Sequence, residues 1–258
     1  MLEVQSLSVR FSNETAVDDI SFSMEAGECL GLVGESGSGK TMTALSIAGL
    51  FRRSAQTTGK IMFEDQDLLT LSPSEMRRIQ GAKISMVFQE PMTSLNPLRR
   101  IGWQVEEAMS IHTKAARPER RAAALEAMRA VELSDPERIY SRYPHELSGG
   151  MRQRVMMAAA ILMRQKLLIC DEPTTALDVT TGAQIIALLQ KLNREFNVGV
   201  LFISHDLGAV YRLCKRALVM QNGRIVESGS VEEITSDPKT EYTKKLIASL
   251  PGRRSCCG

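Results

Sequence analysis

One eight-residue run, Gly34-Glu35-Ser36-Gly37-Ser38-Gly39-Lys40-Thr41, constrains this chain more than any other. The apolar Cys29-Leu30-Gly31-Leu32-Val33 before it suits a buried parallel strand, and residues 41–50 after it place Ala, Leu, Ile and Met at helix-compatible positions. The local reading is strand, loop, helix. Gly34, four residues, then Gly39-Lys40-Thr41 is the spacing of a phosphate-binding loop, in which backbone N–H groups approach a polyphosphate because no β-carbons stand in the way. Lys40 would reach the β- and γ-phosphates and Thr41 would ligate magnesium. The positive end of the following helix adds to the attraction for anions.

A chain of 258 residues with 43% hydrophobic content can bury a substantial core, as one large domain or two small ones. Its 32 Lys and Arg against 30 Asp and Glu are interspersed, so the net charge of +2 gives no support to nucleic-acid binding. The longest strongly apolar stretch, residues 155–163, is too short to span a bilayer and is bounded by Arg154 and Arg164. Glu3 and Arg10 interrupt any leader-like segment, and the chain is expected in the cytoplasm. Of five cysteines, Cys29, Cys170 and Cys214 read as small core residues, Cys214 within a helix. Cys256-Cys257 reads as an incidental exposed pair.

Residues 2–24 alternate in two bursts, which predicts an antiparallel pair exposed on one side. Further strands are expected at 59–63, 83–88, 167–170, 199–204 and 217–220, and residues 98–164 read as mainly helical. Within 117–131, Leu125, Met128 and Val131 would follow one helix face; in the helix between 170 and 199, Ile185, Ile186, Leu189, Leu192 and Phe196 share a side. Asn222-Gly223 between apolar runs predicts a tight hairpin. The chain is thus an α/β nucleotide-binding core interrupted by helices.

Two further clusters carry chemistry. Leu167-Leu168-Ile169-Cys170 is an apolar strand ending in Asp171 and Glu172. Consecutive side chains at a strand end point different ways, so Asp171 would hold magnesium through water while Glu172 faces the γ-phosphate and polarises the attacking water. Ser148-Gly149-Gly150 opens a long helical run, a second small-residue loop at a helix start that can bind an anion. One nucleotide has only one γ-phosphate, so a second cradle makes sense if it serves another chain's nucleotide.

With these motifs in this order, nearly the whole chain resembles the ATP-binding subunit of an ATP-binding-cassette (ABC) transporter; Leu147-Ser148-Gly149-Gly150-Met151 is the most telling stretch. The resemblance implies a P-loop NTPase of ABC type: α/β, a mostly parallel core sheet with an antiparallel β-subdomain and an inserted helical subdomain. Its boundaries would be 1–89 and 161–230 for the core, 90–160 for the helical subdomain with the signature motif, and 231–258 for a short C-terminal extension. It implies ATP and Mg2+ as ligands, with Gly34, Ser36, Gly37, Ser38, Gly39, Lys40, Thr41 and Thr43 on the nucleotide and Phe11 stacking on adenine. Ser148, Gly149 and Gly150 would complete the partner's site, and Asp178, within Ala176-Leu177-Asp178, would pass information between the sites. Gln89 would contact magnesium and water, Asp171 magnesium. Glu172 would be the catalytic glutamate, assisted by Lys40, and His205 the switch residue touching the γ-phosphate.

Residues 89–97, Tyr143-Pro144-His145-Glu146, residues 174–180 and Glu241-Tyr242-Thr243-Lys244-Lys245-Leu246 are similar to the subfamily of oligopeptide, dipeptide and nickel importers. That resemblance implies a heterodimer with a homologous ATPase, two transmembrane permeases, an extracytoplasmic substrate-binding protein, and a place on the cytoplasmic face of the inner membrane. The stop at Gly258, with only Cys256 and Cys257 in the tail, is more like subunits serving nickel or a metal chelate, but peptide-system subunits can be short too, so the expected cargo is peptides or nickel or a metal chelate. Two other classes compete. A small-molecule kinase would share residues 34–41 but has no use for the Ser148-Gly149-Gly150 motif. An ABC-type ATPase acting on DNA or the ribosome would share all the motifs, but long coiled-coil heptads or a second cassette would be expected with it.

Overall fold

The computed structural model describes residues 1–12, 14–50, 55–88, 94–175 and 177–248. In chain order its strands are β1 (Leu2–Phe11), β2 (Glu14–Met24), β3 (Cys29–Val33), β4 (Gln56–Phe63), β5 (Gln66–Asp67), β6 (Ile84–Val87), β7 (Leu167–Asp171), β8 (Gly199–Ser204), β9 (Arg216–Gln221) and β10 (Arg224–Ser230). The chain divides into two compact units, Met1–Ser72 with Gly199–Gly258, and Pro73–Val198.

In the first unit, β2, β1, β4 and β5 form an antiparallel sheet in that order. Leu2, Val4, Leu7 and Val9 of β1 are buried, as are Val17, Ile20, Phe22 and Met24 of β2. The alternation slips between Val4 and Leu7, where the register of β1 shifts against both neighbours and Ser6 takes a φ of 47°. Such a bulge keeps one face apolar on either side of the slip. The same unit holds β3 between β8 and β9, parallel to both, with β10 antiparallel to β9 at the edge. A strand with parallel neighbours on both sides is covered on both faces, and Leu30, Leu32 and Val33 are fully buried. Asn222 and Gly223, at φ 48° and 79°, make the tight turn from β9 to β10.

The second unit pairs β6 with β7 in parallel, Ile84 opposite Leu167 and Val87 opposite Cys170. Around them stand helices Ile101–His112, Arg117–Ala130, Pro136–Tyr140, Gly149–Ile161 and Val179–Phe196. The Gly149–Ile161 helix is buried on most sides, including Val155, Met156, Met157, Ala158, Ala160 and Ile161. It packs on β6 and on the helices at 101–112 and 117–130. The Val179–Phe196 helix buries Ile185, Ile186, Leu188, Leu189 and Leu192, with Phe196 half-buried at its end under the Arg164 guanidinium.

Three expectations change. In the Arg117–Ala130 helix, Ala124, Ala127 and Met128 are buried with the following Val131, whereas Leu125 is half-buried. The close-packed stripe runs through small residues, and Leu125 lines a side cavity with Arg117, Pro118, Arg121, Ala122 and Tyr140. Cys214 lies one residue past the Leu207–Leu213 helix, buried in extended backbone. Cys29 is only half-buried at the head of β3, and burial followed by the neighbouring Glu28 charge pushes its thiol up to about 11. Cys256 and Cys257 lie outside the described residues.

Candidate nucleotide site

In the first unit β3 runs into the loop at 34–39 and then the Lys40–Ile47 helix. Gly39 stands at the helix N-cap with φ 105°, a conformation only glycine adopts readily, and a β-carbon there would lie 2.5 Å from the Ala16 carbonyl oxygen. Gly37 has φ 80°, and a β-carbon on it would meet nothing within 4 Å. One glycine lets the loop pass under β2; the other leaves the outer side open to a ligand. The N-cap is Gly39, so no side chain caps the helix start.

Lys40 is 4% exposed and curls back over the loop. Its ammonium donates to the Gly34 carbonyl at 2.7 Å, the Glu35 carbonyl at 2.7 Å and Ser38 Oγ at 3.3 Å. From behind, the Gly223 amide donates to the Ser38 carbonyl at 3.0 Å, tying the loop to the β9–β10 turn. Ser36 is exposed and Thr41 half-buried at the helix start, with its hydroxyl oxygen a hard donor of the kind magnesium takes. Thr43 departs from the sequence reading. It is 0% exposed and its hydroxyl donates to the Gly39 carbonyl at 3.1 Å, so it braces the loop from within instead of facing a nucleotide.

The parallel register pairs Val33 with Ser204, so β3 and β8 end at the same level. Gly34 and the exposed His205 therefore leave the sheet on the same edge, the carboxyl end where open α/β sheets bind ligands. Phe11 ends β1, half-buried and opposite Glu14. A contact absent from the sequence reading completes this unit: the Glu35 amide donates to the Tyr242 phenol oxygen at 2.8 Å.

The second unit carries the remaining site residues. Asp171, 3% exposed, ends β7; Glu172 follows with φ 48° and is half-buried. The left-handed backbone of Glu172 costs about 1–2 kcal/mol. Thr175 Oγ1 donates to Glu172 Oε2 at 2.6 Å and fixes that carboxylate. Ser148 is the N-cap of the Gly149–Ile161 helix, its Oγ accepting from the Met151 amide at 3.4 Å, with Gly149 exposed and open beside it. Asp178 caps the Val179–Phe196 helix, accepting from the Thr181 hydroxyl at 2.6 Å and the Thr181 amide at 2.9 Å. Those bonds, the hydroxyl first, hold its carboxyl below the usual range. Gln89 and Ala176 lie outside the described residues. No group of three His, Cys, Asp or Glu among the described residues is arranged around an ion, and a magnesium carried by nucleotide phosphates and water needs no such cage.

A family model described as ABC transporter matches residues 17–175. The chain is 46% identical over 98% of its length to a probable peptide ABC transporter ATP-binding protein of Sinorhizobium fredii, covering 78% of that protein. It is 45% identical over 97% of its length to an oligopeptide transport ATP-binding protein of Haemophilus influenzae, covering 79% of it. Among solved structures, a dimeric ATP-binding cassette in a post-hydrolysis state with ADP and Pi superposes with a TM-score of 0.80 at 28% identity, over 90% of this chain and 99% of the other. The chain belongs to the ABC transporter family. Its fold is that of the family's ATPase cassettes, and it is an ATPase.

Proposed function

We propose that this subunit hydrolyses ATP to drive import of peptides through a pair of permeases, working as one half of a heterodimer with a homologous ATPase. The observation that supports the reading is the helix start at Ser148 and Gly149, exposed and open beside Gly149, which would serve as a second anion cradle alongside the loop at 34–41. ATP would lie on the loop at 34–41, with the Lys40 ammonium on its β- and γ-phosphates and Phe11 on the adenine. Ser148, Gly149 and Gly150 would close over the partner's nucleotide. Thr41, Asp171 and Gln89 would hold magnesium, which neutralises phosphate charge when bound. Glu172, oriented by Thr175, would polarise the attacking water, and His205 would touch the γ-phosphate.

Closure and reopening of the dimer would move the helices of residues 90–160, and the permeases would follow. No helix among the described residues is long and apolar enough to cross a membrane, and the proposed place is the cytoplasmic face of the inner membrane, docked on those permeases. A binding protein outside would deliver cargo. The relatives named for peptide and oligopeptide transport support peptides as that cargo. The test is uptake of labelled di- and oligopeptides and of labelled nickel in cells carrying the normal chain or Glu172→Gln. Loss of peptide uptake is expected. Loss of nickel uptake alone would replace the cargo, and loss of neither would overturn the importer reading.

A further inference from the structure

The stretch Glu241-Tyr242-Thr243-Lys244-Lys245-Leu246 has no part in the chemistry above, yet it reaches the phosphate loop. Tyr242 accepts a hydrogen bond from the Glu35 amide at 2.8 Å, across 207 positions of sequence. That amide belongs to the same peptide unit as the Gly34 carbonyl, which accepts from the Lys40 ammonium at 2.7 Å. No peptide bond among the described residues is cis. In a planar trans peptide the N–H and C=O point to opposite sides, so Tyr242 and Lys40 grip one rigid plate from its two edges. Rotating the plate to free one bond breaks the other.

The phenol is itself held in place. Thr243, Leu246 and Ile247 bury the inner face of its helix, Glu241–Ala248. The carboxylate of Glu227, 8% exposed on β10, accepts from the amides of Lys239 at 3.0 Å and Thr240 at 3.2 Å just before that helix. Thr240 then caps it, its Oγ1 accepting from the Thr243 amide at 3.1 Å. β10 pairs with β9, and β9 with β3, the strand that launches the loop. The oxygen of Tyr242 is thus referenced to the same sheet as the loop it touches.

We propose that Tyr242 is a positioning residue for nucleotide binding: its phenol oxygen sets the plane of the Gly34–Glu35 peptide and through it the place of the Lys40 ammonium. The inference rests on the reading of Lys40 as the phosphate-binding lysine. A tyrosine that served only to anchor its helix would need the ring and not the oxygen, which makes the two roles separable.

The experiment compares ADP affinity, melting temperature and hydrogen exchange of the 34–41 segment in the full chain and in Tyr242→Phe, Leu246→Ala and Lys40→Ala. Tyr242→Phe should weaken ADP binding about three- to ten-fold, the worth of one ordinary hydrogen bond, and speed exchange at 34–41 with little change in melting. Leu246→Ala, which loosens the helix without touching the loop, should lower melting and leave ADP binding near normal. Unchanged ADP affinity in Tyr242→Phe would overturn the inference. So would a loss that Leu246→Ala reproduces in proportion to its destabilisation. Lys40→Ala separates the premises, because normal ADP binding there would sink the reading of the lysine itself. If Tyr242→Phe does not fold, fluorination of the Tyr242 ring, which weakens the oxygen as an acceptor, gives the same readout.

Discussion

Gly150 packs against Thr181: a β-carbon on Gly150 would stand 3.2 Å from the Thr181 Cγ2 methyl. The hydroxyl of the same threonine bonds Asp178 at 2.6 Å. One side chain therefore sits between Gly150 and the acid that starts the next helix. Thr181→Val keeps the methyl contact and removes the hydroxyl. Turnover of the assembled ATPase should fall a few-fold in that variant while ADP binding by the single chain stays unchanged, as steady-state kinetics and titration would read. Equal turnover would mean that Asp178 acts as a helix cap alone.

Glu172→Gln should keep ATP binding and reduce hydrolysis by about 100-fold or more, the usual worth of a positioned general base. Thr175→Val leaves the carboxylate and removes the 2.6 Å bond that aims it, so a smaller loss is expected. Single-turnover hydrolysis of bound ATP distinguishes the two. A Glu172→Gln protein that turned over normally would remove this acid from the chemistry.

Lys40 and Thr43 should behave oppositely although they are three residues apart. Lys40→Ala is expected to lose nucleotide binding and fold normally. Thr43→Val removes the 3.1 Å hydroxyl bond to the Gly39 carbonyl, which keeps the Thr43 amide at 2.9 Å, and should cost no more than about 1 kcal/mol of stability with nucleotide affinity largely kept. Calorimetric melting and ADP titration on both variants give the answer. A large affinity loss in Thr43→Val would restore it to the nucleotide contacts.

Glu227 gives an acid-dependent anchor for the C-terminal helix. Burial alone would raise its carboxyl, but hydrogen bonds from Thr243 and from the Lys239 and Thr240 amides bring it below the ordinary 4.5. A group depressed on folding contributes stability above its unfolded value and loses it as pH falls through the folded one. Hydrogen exchange of residues 239–248 should therefore speed up as pH falls below the ordinary glutamate range, after correction for the intrinsic rate. Glu227→Gln should flatten that dependence. An unchanged pH profile in the variant would assign the acid response to another group.

The core strands and the loop at 34–41 were legible because each depends on a local pattern: an apolar run, a glycine spacing, Asn-Gly between strands. The hairpin at 222–223 and strand β8 at 199–204 follow from such runs directly. Ala124 and Ala127 give no sign of burial in the sequence because small residues signal it weakly, while Leu125 signals it by size. Thr43 looked like a ligand by its neighbourhood to Lys40; only the turn of the helix reveals that its hydroxyl faces Gly39. Thr175 stands three residues after Glu172, a spacing that could have flagged it. Tyr242 gives no local sign, because its partner is 207 positions away and is a backbone amide that any residue would supply.

The placement of β3 between β8 and β9 also sets an order of events during synthesis. Both neighbours come from residues 199–221, although β3 is complete at Val33. A nascent chain stopped short of residue 199 has the whole phosphate-loop sequence and neither strand to align it. Long-range parallel pairing of this kind is slow to form and leaves apolar edges waiting. The earliest-made part of the ATP site thus takes shape only after residues 199–221 have been made, because until then β3 has neither of its neighbours.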